Sequence, residues 1–177
     1  VYRDYFIKTK ISSFKNFFNG NEMSARVAGT IMSIQEKKSS KGTPFAIVKF
    51  TDLESEFELF LFSDLLVSNR EKLKAASSFI LTLQKDDSVN KRINVKNIVD
   101  LKEFTKKSYD KVIIEINKKS SLNELQDLLK ENGDTKIEIK IKNTSKIYTF
   151  ALKSRKKFNL STFNQIKNKE YVDKISF

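Results

Sequence analysis

The sequence of 177 residues contains no cysteine and no histidine, and these absences exclude several kinds of chemistry. Without cysteine the chain has no disulfide and no thiolate metal site. Without histidine it lacks the commonest base near neutral pH and the commonest transition-metal ligand. No glycine-rich phosphate loop, Ser/His/Asp set or lysine nucleophile motif is present. These absences leave few kinds of catalysis open, and we expect no cofactor.

Long apolar runs are also missing. No stretch approaches the roughly 20 apolar residues that a membrane-spanning helix needs, and no signal peptide is recognisable. With 39% hydrophobic residues, the chain can bury one large core or two small ones. These features predict a soluble cytoplasmic protein without a membrane partner. Because the sequence starts at Val1 without Met, in mid-pattern, we interpret it as a fragment of a longer protein.

Positive charge is in excess, since 34 Lys and Arg stand against 22 Asp and Glu and give a formal charge of +12. Residues 1–104 hold 17 basic against 13 acidic residues, and residues 105–177 hold 17 against 9. A basic surplus favours nucleic acid or an anionic membrane as partner, although many lysine-rich proteins carry such charge only for solubility. Charge alone leaves these alternatives open.

Five short runs with a strand pattern and one helical run follow each other between residues 27 and 101. The strands are predicted at 27–36, 43–52, 57–62, 78–85 and 92–101, and the helix at 63–74. This is the order of a five-stranded OB barrel with a helix at one end, a fold that binds oligonucleotides. We expect residues 25–104 to form this domain. Residues 1–24 are interpreted as a lead-in segment that packs against the barrel.

Two of these strands carry apolar residues on both faces. Strand alternation predicts that Ala46, Val48 and Phe50, together with Phe57, Leu59 and Leu61, face the core. Phe45, Lys49, Phe60 and Phe62 then face away from it. Exposed aromatic rings stack on bases with about 1–3 kcal/mol per base. The alternative interpretation is that a neighbouring domain, or the rest of a longer protein, covers these rings.

The loop at 36–42, between the first two strands, is basic. Lys37, Lys38 and Lys41 there are candidates for phosphate contacts, as is Arg92 at the start of the last strand. The alternative is a solvated hairpin tip in which Gly42 adopts a positive φ. The basic cluster at 153–157 is open to the same two interpretations, a phosphate or acidic-partner contact or a charged loop. The acidic groups 54–58 and 86–87 lack a third convergent ligand, so no metal site is predicted.

A second domain is predicted at 110–177, after a charged linker. The pattern is β-α-β-β-α-β, typical of the split βαβ arrangement. A strand at 112–116 precedes a helix that a capping box at Ser121 and Glu124 opens and that Asn132 and Gly133 end. A hairpin at 137–142 and 147–152, a helix at 161–168 and a strand at 172–177 complete the order.

Four runs and one aspartate in the first domain carry a family resemblance. They are Val27-Ala28-Gly29-Thr30-Ile31, Lys41-Gly42-Thr43-Pro44-Phe45-Ala46-Ile47-Val48, Asp52, Glu58-Leu59-Phe60-Leu61-Phe62 and Arg92-Ile93-Asn94-Val95-Lys96-Asn97-Ile98. They resemble the OB domain of the bacterial DNA polymerase III alpha subunit. Tyr2-Arg3-Asp4 is similar to the segment that precedes that domain, and by position the resemblance extends to residues 110–177 as the family's C-terminal domain.

The resemblance implies that the OB domain guides single-stranded template DNA and that residues 110–177 dock the tau subunit of the clamp loader. The remainder of the alpha subunit is then a further partner. The family's catalytic carboxylates lie upstream, so the fragment of this DNA-directed DNA polymerase is not expected to polymerise. Ser55 and Ser63 stand where the family often has Gly and Pro, which affects turn geometry rather than chemistry.

Two other interpretations stay open. An OB domain of another class, such as the anticodon-binding domain of a class II aminoacyl-tRNA synthetase, would prefer a structured RNA loop to single-stranded DNA. Alternatively both halves are structural, with the barrel as a scaffold and the second domain as a protein-docking module.

Overall fold

The computed structural model describes residues 2–86, 92–117, 121–142 and 146–177. The chain is a mixed α+β protein with two sheets, and it divides into two compact units. We call Lys10–Phe104 the central unit, and Thr105–Phe177 with the residues up to Thr9 the terminal unit. Within the described residues, no helix is long and apolar enough to cross a membrane. Turns are predicted from the sequence at 85–91 and 143–146, and residues 87–91 and 143–145 of these turns lie outside the described residues.

The predicted elements occur in the predicted order, but three short elements in the lead-in and a helix at the start of the predicted linker were not predicted. The helices are α1 (Arg3–Lys8), α2 (Phe14–Asn19), α3 (Ser63–Asn69), α4 (Leu101–Lys106), α5 (Leu122–Leu128) and α6 (Leu160–Lys167). The strands are β1 (Ile11–Ser12), β2 (Ser24–Lys38), β3 (Pro44–Thr51), β4 (Glu56–Phe62), β5 (Ser78–Lys85), β6 (Ile93–Asp100), β7 (Lys111–Ile116), β8 (Asn132–Lys142), β9 (Ile147–Ala151) and β10 (Val172–Ser176).

The sheet of the central unit is organised around β2. Its strand order is β4-β3-β2-β5-β6, and the short β1 pairs with β2 in parallel. The first half of β2 pairs with β5 and the second half with β3, and the two regions meet at Thr30, beside a register shift between Ile31 and Ser33. One long strand therefore belongs to both halves of the sheet, and the core lies between them.

The core of the central unit is apolar and continuous. It contains the inward residues of β2 to β6, Leu66 of α3 and Phe17 of α2, all nearly or fully buried. The Phe14 ring stacks on Phe57 with centroids 4.0 Å apart. Packing of this part of the lead-in against the strands is therefore observed.

The predicted closed barrel is not observed. In the described part of the central unit, β4 and β6 end the strand order and lie near each other, but no ladder joins them. Helix α3, shorter than predicted, lies against β3, β4 and β6. The helix thus contacts both end strands of the order, and the sheet is open between them.

The lead-in is divided between the two units. Its first part, α1, belongs to the terminal unit, where the Tyr5 ring lies edge-on to Phe163 and Tyr109 at centroid distances of 5.6 and 6.1 Å. Its second part, from Lys10 onward, belongs to the central unit. Sequence pattern could not divide it because both parts are short and aromatic.

The sheet of the terminal unit has the strand order β10-β7-β8-β9. Strands β7 and β8 are parallel neighbours, and β9 and β10 are antiparallel to β8 and β7, respectively. The predicted element order and hairpin are confirmed. The split arrangement is wrong, because β7 and β8 are hydrogen-bonded directly to each other as parallel neighbours.

Two local predictions in the terminal unit are also wrong. The Ser121 side chain accepts no capping hydrogen bond in the described structure, although α5 begins just after it. Gly133 does not end the helix but lies in β8. A Cβ atom at Gly133 would stand 2.7 Å from the Lys157 backbone, so this glycine permits the close approach of two backbones.

Candidate nucleic-acid interface

Strand alternation divides the residues of β3 and β4 as predicted. Ala46, Val48 and Phe50 of β3 are fully buried, and the inward residues of β4 are at most 6% exposed. The opposite side of the two strands is exposed or half-buried, and we call it the outer face. It carries Phe45, Ile47 and Lys49 from β3 and Glu56, Glu58, Phe60 and Phe62 from β4.

The antiparallel register aligns the outer-face residues of three strands in rows. Directly paired residues place their side chains on the same face, with Cβ atoms about 4.5–5.5 Å apart. From β2 through β3 to β4, the rows are Lys37, Phe45, Phe62; Gln35, Ile47, Phe60; and Ser33, Lys49, Glu58. The outer face is therefore cationic at one corner, aromatic in the middle and mixed in charge at the other end.

Three phenylalanine rings form the centre of the outer face. The Phe45 and Phe60 centroids are 6.3 Å apart, and those of Phe60 and Phe62 are 6.4 Å apart, with interplanar angles of 29° and 16°. Phe60 is 47% exposed and Phe62 is 60% exposed. This spacing is about twice the 3.4 Å per nucleotide of a duplex strand. Bases on successive rings would therefore be separated from one another, as in an extended single strand.

Asp52 fixes the turn between the two strands that carry the rings. Its Oδ1 accepts hydrogen bonds from the Glu54 and Ser55 backbone N–H groups at 2.8 and 2.7 Å, and its Oδ2 accepts one from Phe14 N–H at 2.8 Å. A side chain that satisfies successive backbone donors orders such a turn. Asp52 thereby helps to set the register of β3 and β4 and ties α2 to their turn.

The basic loop is a tight turn with three exposed lysines. Ser39 N–H donates to the Thr43 carbonyl at 2.9 Å, and Gly42 has a φ of +78°, so the predicted positive φ is confirmed. Lys37 and Lys38 end β2, and Lys41 lies in the turn. In the described residues none of the three forms an ion pair. Lys37 stands directly beside Phe45 in the register, so a cation adjoins the rings.

Lys49 differs from the other predicted phosphate contacts because it is neutralised within the sheet. Its Nζ lies 2.6 Å from Oε2 of Glu56, and Glu58 is its direct cross-strand partner. The hydrogen bond and charge of Glu56 raise the pKa of Lys49 above its ordinary value, and the charge of Glu58 acts in the same direction. Lys49 therefore adds little net positive charge to the outer face.

Arg92 is exposed but does not join the rows of the outer face. It stands just before β6, and its backbone N–H donates to Asp86 Oδ1 at 2.8 Å. Strand β6 is at the opposite end of the strand order from β4, beside the open side of the sheet. Of the seven predicted site residues, the structure thus brings together Lys37, Phe45 and Phe60, with Lys38 and Lys41 at the adjoining turn.

The acidic groups at 54–58 and 86–87 are possible metal ligands by residue type. No cluster of three or more Asp or Glu side chains able to hold a metal occurs in the part of the chain that is described, and Asp87 lies outside it. Glu54 is exposed at the β3–β4 turn, and Glu56 is paired with Lys49.

The basic cluster at 153–157 has local partners. Arg155 Nη1 donates to the Asp134 carbonyl at 2.5 Å, and Lys157 forms a 2.8 Å ion pair with Glu131. These contacts support the charged-loop interpretation of this cluster.

Strand alternation placed Phe62 on the same face as Phe45 and Phe60, but the cross-strand pairing of Phe62 with Phe45 and the pairing of Lys49 with glutamates were not anticipated. The signal for both was present, because a hairpin turn at 52–55 fixes which residues of β3 and β4 face each other. Counting outward from this turn places Lys49 opposite Glu58 and Phe45 opposite Phe62.

No protein-family model matches the chain, and no curated protein matches its sequence.

Proposed function

We propose that the central unit is a non-catalytic module that binds single-stranded DNA across its outer face. One observation carries the proposal: three neighbouring phenylalanine rings, of which Phe60 and Phe62 are exposed and Phe45 is half-buried, lie beside lysines without carboxylate partners in the described structure. Rings that stack on bases and cations that follow the backbone are the two components of sequence-tolerant single-strand binding.

The strand order supports an OB-type fold as part of this proposal. In that fold the face of the second and third strands and the loop between the first and second strands contact the oligonucleotide. In the central unit β2, β3 and β4 take these positions, and the loop is the basic turn at 39–43. The rings and the lysines thus occupy the face and the loop from which such folds bind.

We further propose that the chain is a C-terminal fragment of a DNA polymerase III alpha subunit, in which the terminal unit docks the tau subunit of the clamp loader. The support for this part is the sequence resemblance of the runs between Val27 and Ile98. Under this proposal the outer face guides template DNA next to a polymerase active site in an upstream part of the protein. It has no catalytic role of its own.

Fluorescence anisotropy with a labelled oligothymidylate tests the binding. Three cations beside the rings, Lys37, Lys38 and Lys41, give an expected slope of log K against log salt of about −2.1. Lowering the salt from 200 to 50 mM should therefore increase the affinity about 20-fold. An affinity that does not change over this range would show that the electrostatic part of the proposal is wrong.

Competition between ligands separates the proposal from its alternatives. Single-stranded DNA should displace the labelled probe at lower concentration than an RNA hairpin of equal length. Preference for the structured RNA loop would instead support an RNA-binding OB domain. If neither nucleic acid binds at 50 mM salt, the central unit is a scaffold.

A further inference from the structure

Strand β9 forms one edge of the terminal sheet and leaves all of its five side chains exposed. Ile147 is 65% exposed, Tyr148 52% and Phe150 36%. Tyr148 and Phe150 are paired with Ile141 and Ile139, so they are on the same face as buried residues of β8. The face that is covered over β8 is therefore uncovered over β9.

The backbone of β9 presents unpaired groups at this edge. Leu152 N–H donates to the Ile137 carbonyl at 2.9 Å, and the register continues in steps of two along the strand. In an antiparallel ladder, alternate residues bond to the partner strand. Ile147, Thr149 and Ala151 therefore direct their N–H and C=O groups away from β8. No hydrogen bond from another described residue reaches these groups.

Strand β9 lacks three features that block strand addition, namely charged residues, proline and a bulge. Natural edge strands are protected by lysine, proline, bulges or a covering element. The five residues from Ile147 to Ala151 include no charge and no proline, and the β8–β9 register has no shift. Three N–H donors and three C=O acceptors are thus arranged for one further strand.

The charge around β9 indicates what kind of strand fits. Lys142 is beside Ile147 in the register, Lys146 precedes β9 and Lys153 follows it. None of these lysines forms an ion pair within the described residues. A second copy of the chain would bring the same lysines to the edge and be repelled, whereas a segment with carboxylates would be attracted.

We propose that β9 is a docking edge for an extended segment of a partner protein, with apolar residues at its centre and Asp or Glu at its ends. The segment adds to the terminal sheet as a fifth strand. Its backbone bonds to Ile147, Thr149 and Ala151, and its carboxylates approach Lys142, Lys146 and Lys153. This inference goes beyond the proposed DNA binding and does not depend on it.

Two synthetic peptides test the proposal with the full chain. Both peptides have the central sequence Val-Thr-Val-Thr-Val. The acidic-ended peptide carries Asp-Glu on each side of it, and the basic-ended peptide carries Lys-Lys on each side. Isothermal titration calorimetry should show that the acidic-ended peptide binds at least tenfold more tightly. Failure of this peptide to bind at 1 mM, or equal affinity for the two peptides, overturns the proposal.

Variants of the edge test the geometry. Thr149→Pro removes an outward N–H group without removing a hydrogen bond to β8, and it should weaken binding of the acidic-ended peptide at least tenfold. Thr149→Val keeps the N–H group and should bind this peptide with the affinity of the unmodified chain. Because proline can disturb folding, Lys142→Glu with Lys153→Glu provides a second test: it should reverse the preference between the two peptides. An unchanged preference overturns the assignment.

Analytical ultracentrifugation distinguishes a second copy from a partner. A reversible dimer that Thr149→Pro abolishes, and that the peptide cannot displace, would assign the edge to self-association and overturn the proposal. Oligothymidylate binding serves as the control for the central unit, and the β9 variants should not alter it.

Discussion

Replacing Phe60 by alanine should weaken single-stranded DNA binding without unfolding the central unit. Phe60 is the middle ring of the outer face, 6.3 Å from Phe45 and 6.4 Å from Phe62 between ring centroids. Loss of one base–ring stack costs about 1–3 kcal/mol, which corresponds to a loss of affinity of about 5- to 140-fold. Since the ring is 47% exposed, the cost to stability should stay near that of a cross-strand pair, about 1 kcal/mol or less.

The assay is fluorescence anisotropy with a labelled oligothymidylate at several salt concentrations. Because Phe60→Ala removes no charge, the slope of log K against log salt should equal that of the unmodified chain. Leu53→Ala is the matched control, since Leu53 is 86% exposed at the β3–β4 turn, outside the rows of rings. Urea denaturation checks that each variant is folded.

An affinity within twofold of the unmodified chain for a folded Phe60→Ala variant would refute base stacking on the outer face. Equal losses in Phe60→Ala and Leu53→Ala would also refute it, because the effect would then not be specific to the rings. A change in the slope of log K against log salt for Phe60→Ala would indicate that the single-stranded DNA binds to another surface of the variant.

Three further predictions concern charge, turn stability and pH. Glu56→Gln removes the carboxylate that pairs with Lys49 and should allow Lys49 to contact phosphate. The affinity for oligothymidylate should then increase about fivefold near 0.1 M salt, and the slope of log K against log salt should steepen by about 0.7. The control Glu54→Gln should change neither the affinity nor the slope. Asp52→Ala removes the acceptor of three backbone N–H groups and should lower the free energy of unfolding by about 2–3 kcal/mol in urea denaturation, against less than about 0.5 kcal/mol for Glu54→Gln. Burial raises the pKa of Tyr5 above its ordinary value of 10.0, so the stability that the neutral Tyr5 gives to the terminal unit is complete below that pH and is lost as the pH rises through the folded pKa. Followed by circular dichroism, the Tyr5→Phe variant should therefore lose less stability above pH 10 than the unmodified chain. An equal loss in the two proteins would contradict this prediction.

The outer face illustrates how far local patterns reach. Alternation along β3 predicted that Phe45 faces away from Val48, because the period of two is a property of each strand by itself. The pairing of Lys49 with Glu56 was not anticipated, since it depends on how two strands are aligned by the Asp52 turn. The composition of the site was thus predicted, whereas its net charge was missed because the register that the turn sets was not worked out.

The sequence by itself determined the order of strands and helices, the inward and outward residues of β3 and β4, and the positive φ of Gly42, because each depends on neighbours along the chain. Tertiary structure decided the open side of the central sheet, the adjacency of β7 and β8, and the division of the lead-in at Thr9. These features depend on contacts between segments that are distant in sequence, and strand periodicity carries no information about which distant strand becomes a neighbour.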